Sequence, residues 1–333
     1  MGSNYTLLLT RADLESLMTI EDIIPIIEDA FRNYGEGKSF GMDMVHGETP
    51  TELEFHIKVG GITLGDRKFY GLKINASNFM NLERYGIPNI IGAILLFDGT
   101  TGFPLAIVDS ILPTILRTGA GTAVAMKYLA RSDSKIATIC GCGVQGRIQL
   151  RAVMEVLPLK KVFAYDIDKQ KSQEYAKEMS NELGIDVISL SDLKEGTLQS
   201  DVIITCTPTH HPYLRKKYVK SGTTIGAIGA DSPDKQELEA KLLHGNKVVV
   251  DILKQCIKAG ELHHALEENL MKQDDVYSEL GNIIAGQKSG RENDDEIIIY
   301  DATGTAIQDT ASVAICYLKA IEKGLGTKIQ LNQ

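Results

Sequence analysis

The sequence predicts an α/β protein of two domains, one built on a parallel sheet and the other on a mostly antiparallel or mixed sheet. Three observations carry that expectation. Residues 135–166 read, in order, as strand, glycine turn, helix, strand and acid. Four strand-like runs joined by short turns, at 53–59, 69–75, 91–97 and 104–108, precede them. A last apolar run at 297–300 is followed by a closing helix near 311–322, which would cross back to the first domain and make it discontinuous. The expected boundaries are 1–115 with 306–333 for the first domain, and 116–305 for the parallel one.

Bulk properties narrow the function. The 333 residues suffice for two cores, and 43% hydrophobic with 24% charged residues describe an ordinary globular chain. A net charge of −9 without clustered Lys and Arg argues against a nucleic-acid partner. No apolar run approaches the roughly 20 residues that cross a bilayer, and the N-terminus lacks a signal-peptide pattern. A cytoplasmic protein with no membrane partner is therefore expected. The five cysteines (Cys140, Cys142, Cys206, Cys256, Cys316) lack paired spacing and sit mostly in apolar runs, which reads as reduced, buried thiols. His210 and His211 are adjacent, as are His263 and His264, and neighbours on a regular element diverge, so no metal site is expected.

Residues 10–34 form two helical pieces. Thr19 is placed as an N-cap, Glu21 and Asp22 occupy the first turn, and Pro25 is early enough to be tolerated. Ile23, Ile26, Ile27, Ala30, Phe31 and Tyr34 follow one apolar stripe. In 53–59, Leu53, Phe55, Ile57 and Val59 alternate with Glu54, His56 and Lys58, the pattern of a half-buried strand with one polar face. The next run sets Tyr70, Leu72 and Ile74 against Lys73 and Asn75. Residues 111–131 are helix-like and rich in small residues, with Arg117 and Thr118 just before Gly119 and Gly121, where a backbone or ligand can approach closely.

The central stretch opens on an apolar strand at 136–140, turns through GCGVQG and enters a helix with apolar spacing at Ile148, Val153 and Val156. Gly141 allows the tight turn, Gly143 lets the backbone approach a pyrophosphate, and Gly146 lets the helix sit against the strand. The pyrophosphate would lie at the helix N-terminus, where N–H groups and the dipole favour negative charge. Asp166 ends the second strand 25 residues past Gly141, where a dinucleotide fold places the carboxylate that accepts from the adenosine ribose hydroxyls. A carboxylate there repels a 2′-phosphate, so NAD is expected over NADP. A helix at 169–183 and strands at 187–190, 201–206, 223–228 and 247–251 continue the unit. Ligands of open α/β sheets bind outside the carboxyl ends of the strands. Those ends carry residues 141–146, Asp166, Thr205 to Thr207 and Gly229 to Asp231. The charged run RENDDE at 291–296 reads as solvated surface.

Four ordered motifs, RTGAGTAVAMKYLAR, GCGVQGRIQLRAV, GADSPDKQEL and IIIYDATGTAIQD, resemble the ornithine cyclodeaminase and mu-crystallin family over residues 10–325. The resemblance implies a Rossmann-type NAD(P)-binding domain with a discontinuous α+β domain that holds substrate and builds a homodimer. It also implies chemistry on small α-amino acids or cyclic imines. Members of the family include ornithine cyclodeaminase, an alanine dehydrogenase, ketimine reductases and noncatalytic hormone binders. By position, Lys73 in GLKIN matches a lysine on the substrate carboxylate, and Arg117 matches the arginine of R-T-x-A near carboxylate and nicotinamide. Asp231 matches the acid/base carboxylate of the cyclodeaminases and Lys235 a lysine near the cofactor. Val144, Gln145, Asp166, Thr207, Ile228, Gly229 and Ala230 fall on dinucleotide contacts, and Thr118 is grouped with them. Thr303 lies on a loop that closes over the nicotinamide, and Asn89 matches a further cofactor position.

The chemistry of these residues agrees with that transfer. An amino-acid carboxylate needs a fixed cation, for which Arg offers a fork and Lys a point charge. Hydride leaving the α-carbon makes an iminium, which a carboxylate such as Asp231 can stabilise while moving protons. Read without the family, Lys73 is also consistent with a surface lysine, and Asp231 with a helix N-cap before Pro233. One departure concerns the substrate. Relatives that bind ornithine carry an extra arginine early in the substrate domain, whereas this chain has none between Arg32 and Arg67; His56 or Lys58 could replace it. The first expectation is NAD-dependent cyclodeamination, in which an imine formed at the α-carbon is attacked by the distal amine, ammonia leaves and the hydride returns to give a proline-like product. The second is a net oxidoreductase, either an amino-acid dehydrogenase or a cyclic-imine reductase. The third is a noncatalytic NAD-dependent binder, against which a retained Asp231 weighs.

Overall fold

The structure described here, a computed structural model, covers residues 5–49, 53–78 and 80–331. The chain divides into two compact units, Met1–Arg117 with Thr305–Gln333, and Thr118–Gly304. In the first segment β1 (Thr6–Leu9), α1 (Arg11–Glu15) and α2 (Ile20–Gly35) lead into β2 (Phe40–Glu48), β3 (Glu54–Leu64) and β4 (Arg67–Ser77). The short α3 (Asn81–Tyr85), β5 (Ile90–Asp98), β6 (Pro104–Asp109) and α4 (Ile111–Leu129) follow. The second unit contains β7 (Ile136–Cys140), α5 (Val144–Met154), β8 (Lys161–Tyr165), α6 (Lys169–Leu183), β9 (Asp186–Ser189), α7 (Leu193–Thr197), β10 (Val202–Thr205) and β11 (Thr224–Ala227). It continues through α8 (Ala240–Leu243), β12 (Lys247–Val250), α9 (Leu253–Cys256), α10 (Glu261–Glu267), β13 (Ser278–Glu279), α11 (Leu280–Ile284) and β14 (Ile298–Asp301). The chain then returns through α12 (Ala306–Lys323) and β15 (Thr327–Ile329).

The second unit is a doubly wound parallel sheet, with strand order β13-β12-β14-β11-β10-β7-β8-β9 and every pairing parallel. Its strands read as continuous apolar runs because both faces are covered. Val202, Ile203, Ile204, Ile298 and Ile299 are fully buried. The strand order departs in opposite directions from β7, to β8 on one side and β10 on the other, which is the switch point where such sheets open a crevice.

The first unit is a seven-stranded mixed sheet in the order β15-β1-β6-β5-β4-β3-β2. Antiparallel hairpins make up most of it; β1 joins β6 in parallel. Thr19 caps α2 as expected, its side chain accepting from the Asp22 N–H, and Ile23, Ile27, Ala30 and Phe31 are buried along that helix.

Two sequence expectations need correction here. The alternative of Lys73 as a surface lysine is overturned: Lys58, Lys73, His56 and Asn75 are buried, while Ile57 and Leu72 are half-buried and Ile74 is exposed. The cause is α12. It lies on the polar face because Gly60 and Gly71, paired across β3 and β4, leave room for Ala306 and Thr310. That helix also begins at Ala306 instead of near 311. Thr305 and Gln308 form a capping box, with the Thr305 N–H donating to Gln308 Oε1 at 2.9 Å, so the helix starts about one turn earlier than expected.

Gly71→Ala would drive a methyl group into the Thr310 side chain, whose hydroxyl donates to the Gly60 carbonyl at 3.0 Å. We expect it to destabilise the protein by about 1–3 kcal/mol, read from the urea midpoint. An unchanged midpoint would mean that α12 does not close on these strands.

Candidate functional site

In the first unit, β4, the start of α4 and the first turn of α12 bring three charged side chains together. Lys73 Nζ lies 2.6 Å from Asp309 Oδ2, and Arg117 Nε lies 3.0 Å from Asp309 Oδ1. All three are buried. Lys58 stands directly across from Lys73 in the β3–β4 register, and His56 stands across from Asn75. His56 Nε2 is 3.1 Å from Glu54 Oε2, the oxygen that also accepts from Ser77 Oγ at 3.3 Å. The His46 ring packs edge-on against His56 at 4.8 Å between centroids. Asn75 donates to Thr114 Oγ1 at 3.5 Å.

Electrostatics in this cluster favour an added anion. Burial, with Arg117 beside it, lowers the Lys73 ammonium from 10.5 to about 7 against the pull of Asp309. Burial pushes the Asp309 carboxyl up, but Lys73 and Arg117 outweigh it and hold it below its ordinary range. Two cations against one carboxylate leave these three groups with a positive excess that a bound carboxylate can neutralise.

The second unit carries the strand-end residues. Gly141 has φ +100°, where a side chain would strain the backbone and meet the Cys206 carbonyl and Thr207. A Cβ at Gly146 would strike the Gly141 carbonyl, so that glycine seats the helix on the turn. Gly143 is the N-cap of α5 with no side-chain cap, and space around it is open, while Val144 beside it is exposed. Gln145 accepts from Gln149 Nε2 at 3.4 Å within α5. Asp166 is fixed across the turn: Oδ2 accepts from the Cys142 N–H at 2.9 Å and Oδ1 from the Asp168 N–H at 3.0 Å. An open glycine N-cap, an uncapped helix start and a held carboxylate at the next strand end fit a dinucleotide pyrophosphate and ribose.

At the ends of β10 and β11, Thr207 donates its hydroxyl to Glu237 Oε1 at 2.6 Å, and the Gly229 N–H donates to Glu237 Oε2 at 2.8 Å. Ile228 is tied to the Thr205 carbonyl by its N–H at 2.9 Å, and Ala230 is buried. Asp231 pairs with Lys235 at 2.9 Å, the lysine buried and the carboxylate partly exposed. The alternative of Asp231 as a helix N-cap is corrected: residues 232–234 form a bend and turn, and the next helix starts only at Ala240. Thr303 is buried, its hydroxyl 3.3 Å from both Asp251 Oδ1 and Gln255 Oε1. Thr118 lies in α4, its carbonyl accepting from Thr122 Oγ1 at 3.3 Å. Asn89, in the first unit, uses its side-chain oxygen on the Leu82 N–H at 3.0 Å, which fastens the α3 segment.

The model of the ornithine cyclodeaminase/mu-crystallin family matches residues 4–324. The chain belongs to that family. It is 36% identical over 328 residues to an alanine dehydrogenase of Archaeoglobus fulgidus, covering 98% of either chain. Among solved structures it resembles a Δ1-pyrroline-2-carboxylate reductase of Thermococcus litoralis in complex with NADH and L-proline, at TM-score 0.92 and 34% identity over 97% of this chain and 100% of that one. An archaeal alanine dehydrogenase dimer with bound NAD matches at TM-score 0.91 and 36% identity, over 98% of this chain and 99% of that one.

Sequence reasoning missed Asp309, although it stands in the quoted motif IIIYDATGTAIQD. The Thr305-x-x-Gln308 capping signature would have started the helix early enough to put it in the first turn. It also missed the buried acids Glu237, Asp251, Glu261 and Asp301, whose spacing carries no local signal.

Asp309→Asn would leave Lys73 without its carboxylate partner. We expect a loss of about 3–5 kcal/mol at pH 6, where Lys73 is protonated, measured by urea denaturation. The loss should be smaller at pH 9, above the Lys73 value of about 7, because the amine is then neutral and only the Arg117 contact is lost. Equal losses at both pH values would contradict a charged Lys73 and Asp309 pair.

Proposed function

We propose that this protein is an NAD-dependent enzyme that transfers hydride at the α-carbon of a small L-amino acid or the corresponding imine. The observation that carries the reading is the buried Lys73, Asp309 and Arg117 cluster, with its positive excess, in a chain whose parallel unit has the glycine turn and Asp166 of a dinucleotide site. NAD, when bound, accepts the hydride. Lys73 and Arg117 hold the substrate carboxylate, Arg117 by its fork and Lys73 as a point charge. Asp231, tied to Lys235, stabilises the iminium and moves the proton at the amino nitrogen. Gly141, Gly143 and Gly146 with Val144 and Gln145 receive the pyrophosphate; Asp166 accepts from the ribose; Thr118, Thr207, Ile228, Gly229, Ala230, Lys235, Thr303 and Asn89 complete the cofactor contacts. His56 and Lys58 face the substrate side chain.

Two outcomes of the same hydride step are open to this machinery. In cyclodeamination a distal amine closes on the imine, ammonia leaves and the hydride returns. In net oxidoreduction the hydride stays on the cofactor, or comes from it. Similarity to an alanine dehydrogenase and to an imine reductase that was crystallised with L-proline supports the second. We further read the unit that carries the mixed sheet as a dimerisation unit. Val45, Ile57 and Ile74 form one cross-strand row on the sheet face opposite α12, and Val45 and Ile74 are exposed. The resemblance to an alanine dehydrogenase dimer supports a homodimer.

Incubation with NAD and a panel of amino acids, following reduced cofactor and ammonia together, tests the reading. Ammonia without net reduction identifies cyclodeamination, and matched NADH identifies a dehydrogenase; no turnover and no imine reduction on any substrate would refute it. Asp231→Asn should lower kcat by about 100-fold or more with NAD affinity nearly unchanged, and unaltered turnover would remove Asp231 from the mechanism. Asp166→Ala should weaken NAD and erase the preference over NADP; a variant that still prefers NAD as strongly contradicts the ribose role. Because Lys73 loses its proton near pH 7, affinity for a carboxylate substrate should fall as pH rises above about 7. Ile74→Lys should yield monomers by light scattering, and an unchanged mass would remove that face from the interface.

A further inference from the structure

Four carboxylates are buried at the carboxyl ends of the parallel sheet, and the proposed chemistry uses none of them. Glu237, Glu261, Asp301 and Asp251 are each fully buried. Their hydrogen-bond donors are mainly backbone N–H groups. Glu261 accepts from the Glu237 and Leu238 N–H groups at 2.8 and 3.0 Å. Asp301, at the end of β14, accepts from the Glu261 and Leu262 N–H groups at 3.1 and 2.9 Å, at the start of α10. Asp251, just past β12, accepts from the Gly304 N–H at 2.7 Å and the Ile252 N–H at 2.6 Å. Asp251, Asp301 and Glu261 thus each fix the chain segment that carries or adjoins another of the four, and Glu237 stands at the end of the series nearest the switch point.

Glu237 is placed differently from the rest because its two oxygens serve two different strand ends. Oε1 accepts from the Thr207 N–H at 2.6 Å, the Thr207 hydroxyl at 2.6 Å and the Tyr213 hydroxyl at 2.9 Å, all after β10. Oε2 accepts from the Gly229 N–H at 2.8 Å, after β11, and from the Thr205 hydroxyl at 2.7 Å. A Cβ at Gly229 would lie 2.6 Å from Glu237 Cδ, so the backbone rests on the carboxylate. A Cβ at Gly141 would meet Thr207 at 2.9 Å, which puts the glycine turn against the same loop. We propose that Glu237 is a positioning residue for the dinucleotide: it staples the loops after β10 and β11 to each other and, through Thr207, against the Gly141 turn. The inference rests on the NAD reading above.

An ionised carboxylate suits this position and an amide does not. Hydroxyl donors can turn round and accept instead, whereas a backbone N–H cannot. Each Glu237 oxygen faces one backbone N–H, so a glutamine, with one oxygen and one NH2, can satisfy only one of the two loops. The other loop must shift or leave a buried donor unmatched, and open dinucleotide sites tolerate such shifts poorly because their contacts are backbone groups at fixed strand ends. Burial raises the Glu237 carboxyl above its ordinary range, and the Thr207, Thr205 and Gly229 donors oppose that rise.

The test is Glu237→Gln in the full-length protein. We expect KM and Kd for NAD to rise about tenfold or more, while kcat at saturating NAD stays within about threefold and the melting temperature without nucleotide shows that the fold persists. If this variant does not fold, Glu237→Asp keeps the charge and loses one methylene of reach, and the same rise in Kd is expected. A folded variant that binds NAD within twofold of wild type would overturn the positioning role, as would a drop in kcat and melting temperature with KM for NAD unchanged. Wild-type protein that binds neither NAD nor NADP would instead overturn the proposed function, so the two failures are told apart.

Discussion

A single buried carboxylate, Asp309, makes the polar interior of the first unit possible. Lys73 and Arg117 could not both be stripped of water without an acid between them, since an uncompensated buried charge costs several kcal/mol. Asp309 meets both, at 2.6 and 3.0 Å, and does so from the first turn of a helix that the glycines of β3 and β4 allow to lie close. The compensation is partial. One acid between two cations, with Lys73 pulled down to about 7, leaves the cluster short of negative charge and ready to take up a carboxylate with a proton. Stability and, in the proposed function, recognition of the substrate carboxylate therefore rest on the same three side chains.

In the parallel unit the same principle appears with backbone groups in place of cations. Glu237, Glu261, Asp301 and Asp251 have peptide N–H groups as partners, and burial lifts Asp301 to about 7 and Glu261 well above its ordinary range. Buried acids so arranged are costly as structural elements, because hydrogen bonds only partly offset the desolvation of a carboxylate. Their position at the ends of the central strands gives that cost a use: they hold the backbone of the strand-end loops in place. Asp166 does likewise at the next strand end, bracing the glycine turn through the Cys142 N–H.

Much of this was legible in the sequence because it is local. The parallel strands announce themselves as short apolar runs, the glycine turn by spacing, and α6 by periodicity and flanks. The mixed sheet was legible as hairpins, but β1, β2 and β15 were not, since Thr6–Leu9 and Thr327–Ile329 are only a few residues long and Phe40–Glu48 has no clean alternation. The burial of Lys73 and His56 could not be read from the strand pattern for a different reason. Alternation tells which residues share a face, and never which face a distant helix will cover. Asp309 belongs to the same class: its partners lie 192 and 236 residues away in the chain, at Arg117 and Lys73, and only the fold brings them together.

The most direct measurement compares an amino acid that the enzyme turns over with its own carboxamide, binding each to the NAD-loaded protein by calorimetry. If Lys73 and Arg117 hold a carboxylate, the amide, which keeps the shape and loses the charge, should bind about 100-fold more weakly. Equal affinity for the two would show that the buried cations do not receive the substrate, and the account built on Asp309 would fail.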